Sequence, residues 1–281
     1  ITGKTAANGA LETDELLTMI FQKTEVAKFI CRKLYRYFVY YYIDNTIENN
    51  IITPLSNIFI ANNYEIKPVL KTLLSSEHFY DTLYIGCQIK SPVDHVITFL
   101  RQYEIIFPNA ITDYTDSYFL HNYMVNQLIS MGQNPVDPPN VSGWPAYYQT
   151  PDYNKLWINA DTLPKRNKFT DLMIETGYTR NGKKVIVNTI QFAKNVCPNP
   201  SDPNVLIESV FSFLVSTEID ASLKANLKKQ ILLSGQTSDY YWTDAWNAYT
   251  SSPTTINYNT VHTRLKSLLK YIMNLPDYQL Q

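Results

Sequence analysis

The amino-acid sequence predicts an all-α fold, an irregular multi-helix bundle with at most one small β-hairpin. Glycine is scarce, at 8 of 281 residues, so the chain has few of the tight left-handed turns that many-stranded sheets use. Apolar residues recur at steps of three and four along most of the chain, which is the spacing of a helical face. Hydrophobic residues make up 45% and charged residues 17%, a globular composition with low charge.

The first long helix is predicted to begin at Thr24, after a shorter apolar helix that ends near Phe21. Seven apolar residues at helical spacing are expected to form its buried face: Val26, Phe29, Ile30, Leu34, Tyr37, Phe38 and Tyr41. Four residues fall outside this stripe: Cys31, Arg32, Lys33 and Arg36.

Later helix boundaries are indicated by capping residues. Thr53-Pro54 is expected to start one helix and Pro68 another, because proline is favoured in the first turn. Ser91 and Asp94 are predicted structural caps that form a capping box around Pro92. Further helices are expected near 114–131, 157–176, 203–216, 220–233, 239–250 and 260–273.

One turn pair interrupts this helical pattern. Asn181-Gly182 suits the tight turn of a two-stranded hairpin that continues into residues 183–187. Gly235 is expected to end a helix in the left-handed conformation. We find no linker in the sequence, which favours a single helical domain over residues 1–281.

Composition and motifs exclude several function classes. With 24 basic and 25 acidic residues the net charge is −1, which predicts no binding to nucleic acid. No apolar run reaches the roughly 20 residues of a transmembrane helix. Three separated cysteines and four dispersed histidines predict no metal site, and we find no nucleotide-binding or hydrolase motif, so no cofactor is expected and catalytic residues stay unknown.

Residues 132–166, which we call the Pro/Trp segment, break the helical pattern. Four prolines within residues 135–145 disfavour helix and predict an ordered, irregular course. Aromatic faces and directed polar groups on such a segment suit a ligand site. The candidate ligand-binding residues are Asp137, Asn140, Trp144, Tyr147, Trp157, Asn159 and Arg166.

A structural interpretation of the same segment stays open. Proline- and tryptophan-containing loops also cover helix ends and fill gaps in a core. In that case Asn140 and Asn159 cap backbone groups, and Arg166 pairs with a buried carboxylate such as Asp137.

The chain resembles the bacterial family catalogued as domain of unknown function 1800. The matching stretches are PPNVSGWP at 138–145, WIN at 157–159 with Arg166, FICRKLYRYFV at 29–39, KSPVD at 90–94 with Arg101, and LPDYQ at 275–279. The resemblance implies that the chain is the C-terminal part of a longer, extracytoplasmic protein, either periplasmic or secreted. The family has no assigned activity, so the resemblance supplies no catalytic residue, and residues 178–255 match nothing specific.

These observations favour a non-catalytic, extracytoplasmic binding or scaffold module that engages a protein or glycan through its aromatic loop. The expected partners are an envelope protein, a glycan or the missing N-terminal region. The alternative is a hydrolase whose site joins Asp137, Asn140 or Arg166 to groups of that missing region.

Overall fold

A computed structural model describes residues 3–281 and confirms an all-α fold with one two-stranded antiparallel hairpin in that range. The chain divides into two compact units, the first ending at Cys87 and the second beginning at Gln88. The single domain over residues 1–281 stays a prediction.

Over residues 3–87 the first unit contains five α-helices: α1 (Leu11–Phe21), α2 (Thr24–Phe38), α3 (Asn45–Ile47), α4 (Thr53–Ala61) and α5 (Ile66–Leu74). A π-helical turn over Glu48–Ile52 joins α3 to α4, and 3-10 turns form at Ala6–Ala10, Glu77–Tyr80 and Thr82–Tyr84. Its core consists of nine buried residues from α2, α4, α5 and their connections: Ala27, Cys31, Tyr35, Val39, Ile52, Leu55, Phe59, Val69 and Leu73.

The predicted buried face of α2 was wrong. The structure buries Ala27, Cys31 and Tyr35, whereas Phe29 is 51% exposed and α2 ends at Phe38. Ala27 and Cys31 have small side chains, so they allow the close approach of a neighbouring helix, and hydrophobic spacing alone does not reveal which of two adjacent stripes does so. The predicted residues Ile30 and Leu34 only border this core.

The predicted helix start at Thr53 is confirmed, since α4 begins there with Pro54 in its first turn, whereas α5 begins at Ile66, two residues before the predicted start at Pro68. Thr53 is not a cap, however, because α3, the π-helical turn and α4 follow one another without a break from Asn45, and the Thr53 hydroxyl donates to the main-chain oxygen of Glu48 at 2.9 Å. The helix cap is Asp44, whose carboxylate accepts the amide of Ile47 at 2.8 Å. A π-helical turn changes the local backbone pairing, which accommodates the proline that follows Thr53.

The second unit contains nine α-helices and the hairpin. The helices are α6 (Pro92–Gln102), α7 (Tyr114–Ser130), α8 (Pro145–Tyr148), α9 (Thr162–Glu175), α10 (Thr189–Val196), α11 (Pro203–Leu214), α12 (Ala221–Leu227), α13 (Tyr240–Ser251) and α14 (Thr255–Met273). The hairpin pairs β1 (Tyr178–Arg180) with β2 (Lys183–Val185), and a π-helical turn covers Lys228–Leu232. 3-10 turns form at Tyr153–Trp157 and Pro276–Gln279.

The long helix α14 lies in the core of the second unit. It buries Val261, Leu265, Leu268, Leu269, Ile272 and Met273. It begins at Thr255, earlier than the sequence predicts, because the hydroxyl of Thr254 accepts the amide of Asn257. Gly235 has a φ of +84° and its amide donates to the oxygen of Lys229 at 2.8 Å, which ends the preceding helix as expected.

The C-terminal segment pairs with the beginning of the same unit. The amide of Lys90 donates to the oxygen of Gln279 at 2.8 Å, and the amide of Gln281 donates to Gln88 at 2.8 Å. An isolated antiparallel bridge joins Ile89 to Leu280. Residues 88–90 therefore lie against residues 279–281 immediately before α6 begins.

Candidate functional site

The Pro/Trp segment crosses the second unit as a series of turns. Within it the chain forms α8 at Pro145–Tyr148 and a 3-10 turn at Tyr153–Trp157. Its irregular course ends at Asp161, because α9 begins at Thr162, so the predicted boundary at residue 166 was wrong. Arg166 consequently belongs to a helix and not to the irregular part.

Three aromatic rings fix the middle of the Pro/Trp segment. Trp157 is only 5% exposed, and the ring of Tyr147 meets it edge to face at a centroid distance of 5.4 Å. Trp144 is half-buried and meets Tyr147 at 6.3 Å with the two planes 85° apart. A buried indole therefore anchors a row of rings whose outer members reach solvent.

Asn140 holds the turn at the tip of the Pro/Trp segment. Its amide nitrogen donates to the hydroxyl of Tyr148 at 3.0 Å, and its amide oxygen accepts the main-chain N–H of Ser142 at 2.8 Å. Val141, inside this turn, is fully exposed, and Val136, in the preceding turn, is 98% exposed. The tip is thus held by polar contacts while it presents aliphatic side chains to water.

Asp137 does not pair with Arg166. The carboxylate of Asp137 is exposed and accepts the side-chain amide of Asn134 at 2.8 Å. The ion pair that the structural interpretation places between Asp137 and Arg166 is therefore wrong. The sequence did not reveal that the side-chain amide of Asn134, three residues before Asp137, binds this carboxylate and closes a local turn.

Asn159 caps α9. Its side-chain oxygen accepts the amides of Asp161 and Thr162, both at 2.9 Å. Thr162 in turn donates its hydroxyl to the main-chain oxygen of Trp157 at 3.0 Å. This arrangement joins the end of the irregular course to the helix, which is the capping role that the structural interpretation gives Asn159.

Arg166 is fully buried, at 0% exposure. Its Nη2 donates to the main-chain oxygen of Lys90 at 2.8 Å, and its Nη1 donates to the side-chain oxygen of Gln279 at 3.4 Å. Burial lowers the pKa of the guanidinium to about 10, opposed by the charge of Asp94. The predicted ligand-binding residue thus holds the C-terminal segment in place.

A buried basic cluster formed by Lys90, His95 and Arg166 is a feature that the sequence reasoning missed. Lys90 donates from Nζ to the main-chain oxygen of Tyr278 at 2.7 Å. Burial, together with the charge of Arg166, lowers the pKa of Lys90 to about 8. The only sequence signals were the family-like stretches at 90–94 and 275–279, which do not reveal that they meet in space.

The capping box around Pro92 follows Lys90 directly and starts α6. Ser91 Oγ accepts the amide of Asp94 at 3.1 Å, and Asp94 Oδ2 accepts the amide of Ser91 at 3.2 Å. Gln133 accepts the next amide, from Val93, at 3.0 Å and donates to the hydroxyl of Tyr147 at 3.3 Å. One glutamine therefore links the start of α6 to the aromatic row of the Pro/Trp segment.

The structure divides the seven predicted ligand-binding residues between two roles. Trp144, Tyr147 and Trp157 form one aromatic row, with Asn140 bonded to the adjacent Tyr148. Asp137, Asn159 and Arg166 make internal contacts. Within residues 3–281 no three histidine, cysteine, aspartate or glutamate side chains group closely enough to hold a metal ion.

Residues 1–280 match the family described as Protein of unknown function (DUF1800). The chain belongs to this family. DUF1800 membership thus covers both compact units, and the description of DUF1800 assigns no activity to transfer to this site. Comparison with curated proteins and with solved structures gives no match. Over the described residues, no helix is both long enough and apolar enough to cross a lipid bilayer.

Proposed function

We propose that this chain is a non-catalytic binding module that engages a partner protein through the outer part of the Pro/Trp segment. The observation that carries the proposal is that one segment combines a buried anchor, Trp157, with two solvent-exposed valines at positions 136 and 141. Isolated surface valines are common, but each of these two lies in a turn that a side-chain hydrogen bond closes, from Asn134 to Asp137 around Val136 and between Asn140 and Ser142 around Val141. A fixed apolar tip beside half-exposed aromatic rings is a typical protein-binding surface.

The geometry of the rings favours a protein over a glycan. Trp144 and Tyr147 stand nearly perpendicular, so they form no flat platform for the apolar face of a sugar ring. Valine side chains at the tip offer no hydrogen bonds to sugar hydroxyls. The side chain of Asn140 already holds Ser142 and Tyr148, which leaves it fewer groups for a ligand.

A glycan ligand is the second candidate, supported by the partial exposure of Tyr147 and Tyr148. Their rings have wet hydroxyls and apolar faces, a combination that suits carbohydrates. Both tyrosines lie on the short helix α8, and the ring of Tyr147 contacts the half-buried indole of Trp144.

The hydrolase alternative receives less support from the geometry. Arg166 is fully buried, and its terminal nitrogens face Lys90 and Gln279, so it does not reach a substrate from this position. Asp137 is exposed but bonded to Asn134, and no charged partner makes a hydrogen bond to it among the described residues.

An extracytoplasmic location remains part of this proposal and rests on the resemblance to the DUF1800 family. The proposed partner is accordingly a protein of the bacterial envelope. Its binding surface should be mainly apolar, with a pocket that accepts the aliphatic tip, because the tip itself contributes few free polar groups.

The proposal is tested by screening the purified chain against envelope proteins and envelope glycans. Trp144→Ala should remove the binding signal, whereas Tyr118→Ala, which truncates an exposed tyrosine on α7, should keep it. Binding to proteins supports the first candidate, and binding confined to glycans supports the second. Equal binding by the wild type and both variants would contradict a role for the Pro/Trp segment.

A further inference from the structure

His95 occupies an unusual position in the buried basic cluster. Its side chain is 1% exposed, and neither ring nitrogen makes a well-formed hydrogen bond among the described residues, although the main chain of Arg166 interacts with the ring. The ring lies between Phe169, at a centroid distance of 6.2 Å, and Tyr278, at 5.8 Å, and meets both edge to face. The imidazole is therefore packed as an apolar ring on α6 against α9 and the C-terminal segment.

The charges that face His95 are both positive. Arg166 comes from α9, and Lys90 comes from the strand-like segment before α6. Tyr278, from the C-terminal segment, is the titratable group that packs against the ring. The neighbouring carboxylate on α6, Asp94, already accepts both the amide and the hydroxyl of Ser91.

The same two cations hold the C-terminal segment in place. Lys90 donates from Nζ to Tyr278 O, and Arg166 donates to the side chain of Gln279. Main-chain bonds between residues 88–90 and 279–281 complete the attachment. A third positive charge at position 95 would repel both cations inside a site that water does not reach, where such repulsion is strong.

We propose that His95 is an acid-sensitive latch, and that proton uptake by its ring releases the C-terminal residues 275–281 from residues 88–90. The released state exposes the imidazole to water, which solvates its charge, and lets Lys90 and Arg166 move apart. This inference concerns the core of the second unit and does not depend on the proposed binding function.

The direction of the pH effect follows from the two protonation states. Burial, together with the charges of Arg166 and Lys90, holds the pKa of His95 well below its ordinary value of 6.5, and the main chain of Arg166 opposes this shift. In the released state the ring recovers its ordinary pKa and binds a proton that the closed state lacks. Opening should therefore increase about tenfold for each pH unit below about 6.

The experiment is amide hydrogen exchange from pH 7.5 to 5, corrected for the intrinsic pH dependence of exchange. The reporters are the amides of Lys90 and Gln281, which bond across the two segments, and the reference is the buried helix α14 around Leu268. We expect protection of the two reporters to fall about tenfold per pH unit below pH 6, while α14 stays protected.

Two variants separate the latch from a general effect of acid. His95→Phe retains an aromatic ring without a titratable group, so its reporter amides should stay protected at pH 5. His121→Gln changes an exposed histidine on α7 and should show the same loss as the wild type. Constant reporter protection in the wild type, equal loss in α14, or an unchanged loss in His95→Phe would each overturn the proposal.

Discussion

Arg166 Nη2 donates to the main-chain oxygen of Lys90 at 2.8 Å, so two buried cations that lie 76 residues apart in sequence share one site. Lys90 directs its own ammonium to a different carbonyl, that of Tyr278. These acceptors are neutral oxygens, so they satisfy hydrogen bonds without cancelling charge. Hydrogen bonds to these carbonyls therefore stabilise the site, while its two uncancelled charges make it sensitive to substitution and to pH.

Arg166→Lys should lower the free energy of unfolding by about 1–3 kcal/mol, because an ammonium cannot reproduce the fork that reaches Lys90 and Gln279 together. Urea denaturation followed by circular dichroism measures the change. Lys165→Arg, at the adjacent surface position paired with Asp161, is the matched control and should change stability by less than about 0.5 kcal/mol. Equal effects of both substitutions would show that the fork geometry is unimportant.

Lys90→Met should alter how stability depends on alkaline pH. The pKa of Lys90 is about 8 in the folded protein and about 10.5 when unfolded, so between these values only the unfolded chain holds the proton. Raising the pH therefore favours folding, and the wild type should gain about 1.4 kcal/mol per pH unit relative to Lys90→Met between pH 8 and 10. Subtracting the pH dependence of Lys90→Met from that of the wild type removes the contribution of tyrosines and cysteines, which ionise in both proteins. An identical pH profile for the two proteins would contradict the assignment.

Gly177→Ala should destabilise the protein by more than about 2 kcal/mol. Gly177 has a φ of +65°, and an added Cβ would contact the oxygen of Val185 and lie 2.6 Å from the Cβ of Ile186. Gly182, in the hairpin turn, has a φ of +78° but open space around it, so Gly182→Ala should cost only about 1 kcal/mol. Thermal denaturation of both variants measures the contrast, which would be absent if the contact at Gly177 relaxed freely.

Trp157→Ala should lower the free energy of unfolding by about 3–5 kcal/mol, because it removes a buried indole from under Tyr147. Trp144→Ala should lower the free energy of unfolding by less than Trp157→Ala does, since Trp144 is only half-buried and lies at the outer end of the row. Chemical denaturation of the two variants provides the comparison. If Trp144→Ala lowered the free energy of unfolding as much as Trp157→Ala, the outer part of the Pro/Trp segment would serve mainly to stabilise the fold.

Local chemistry explains which parts of the fold could be predicted from the sequence. The hairpin turn at Asn181-Gly182 and the capping box at Ser91 depend on residues within four positions of each other, and both form in the structure. The α2 face could not be predicted in this way. Its choice between Phe29 and Ala27 depends on which neighbouring helix approaches, which is information that lies elsewhere in the chain.

The candidate site shows the same limit. Four prolines predict an ordered, irregular segment, and within it Trp144, Tyr147 and Trp157 form one row. Arg166 was assigned to that segment because it is near in sequence, yet its partners are Lys90 and Gln279. Contacts across 76 and 113 residues have no local signature, so the buried basic cluster became visible only in three dimensions.

The most direct test of the binding proposal is site-specific photo-crosslinking of the full chain in envelope extract. A photoreactive phenylalanine analogue at Val141, the exposed tip, should crosslink to one specific protein, and Trp144→Ala in the same chain should abolish that product. The analogue at Ile111, which is 88% exposed but lies outside the Pro/Trp segment, should give no such product. Identical products from both positions, or a Val141 product that survives Trp144→Ala, would contradict the account.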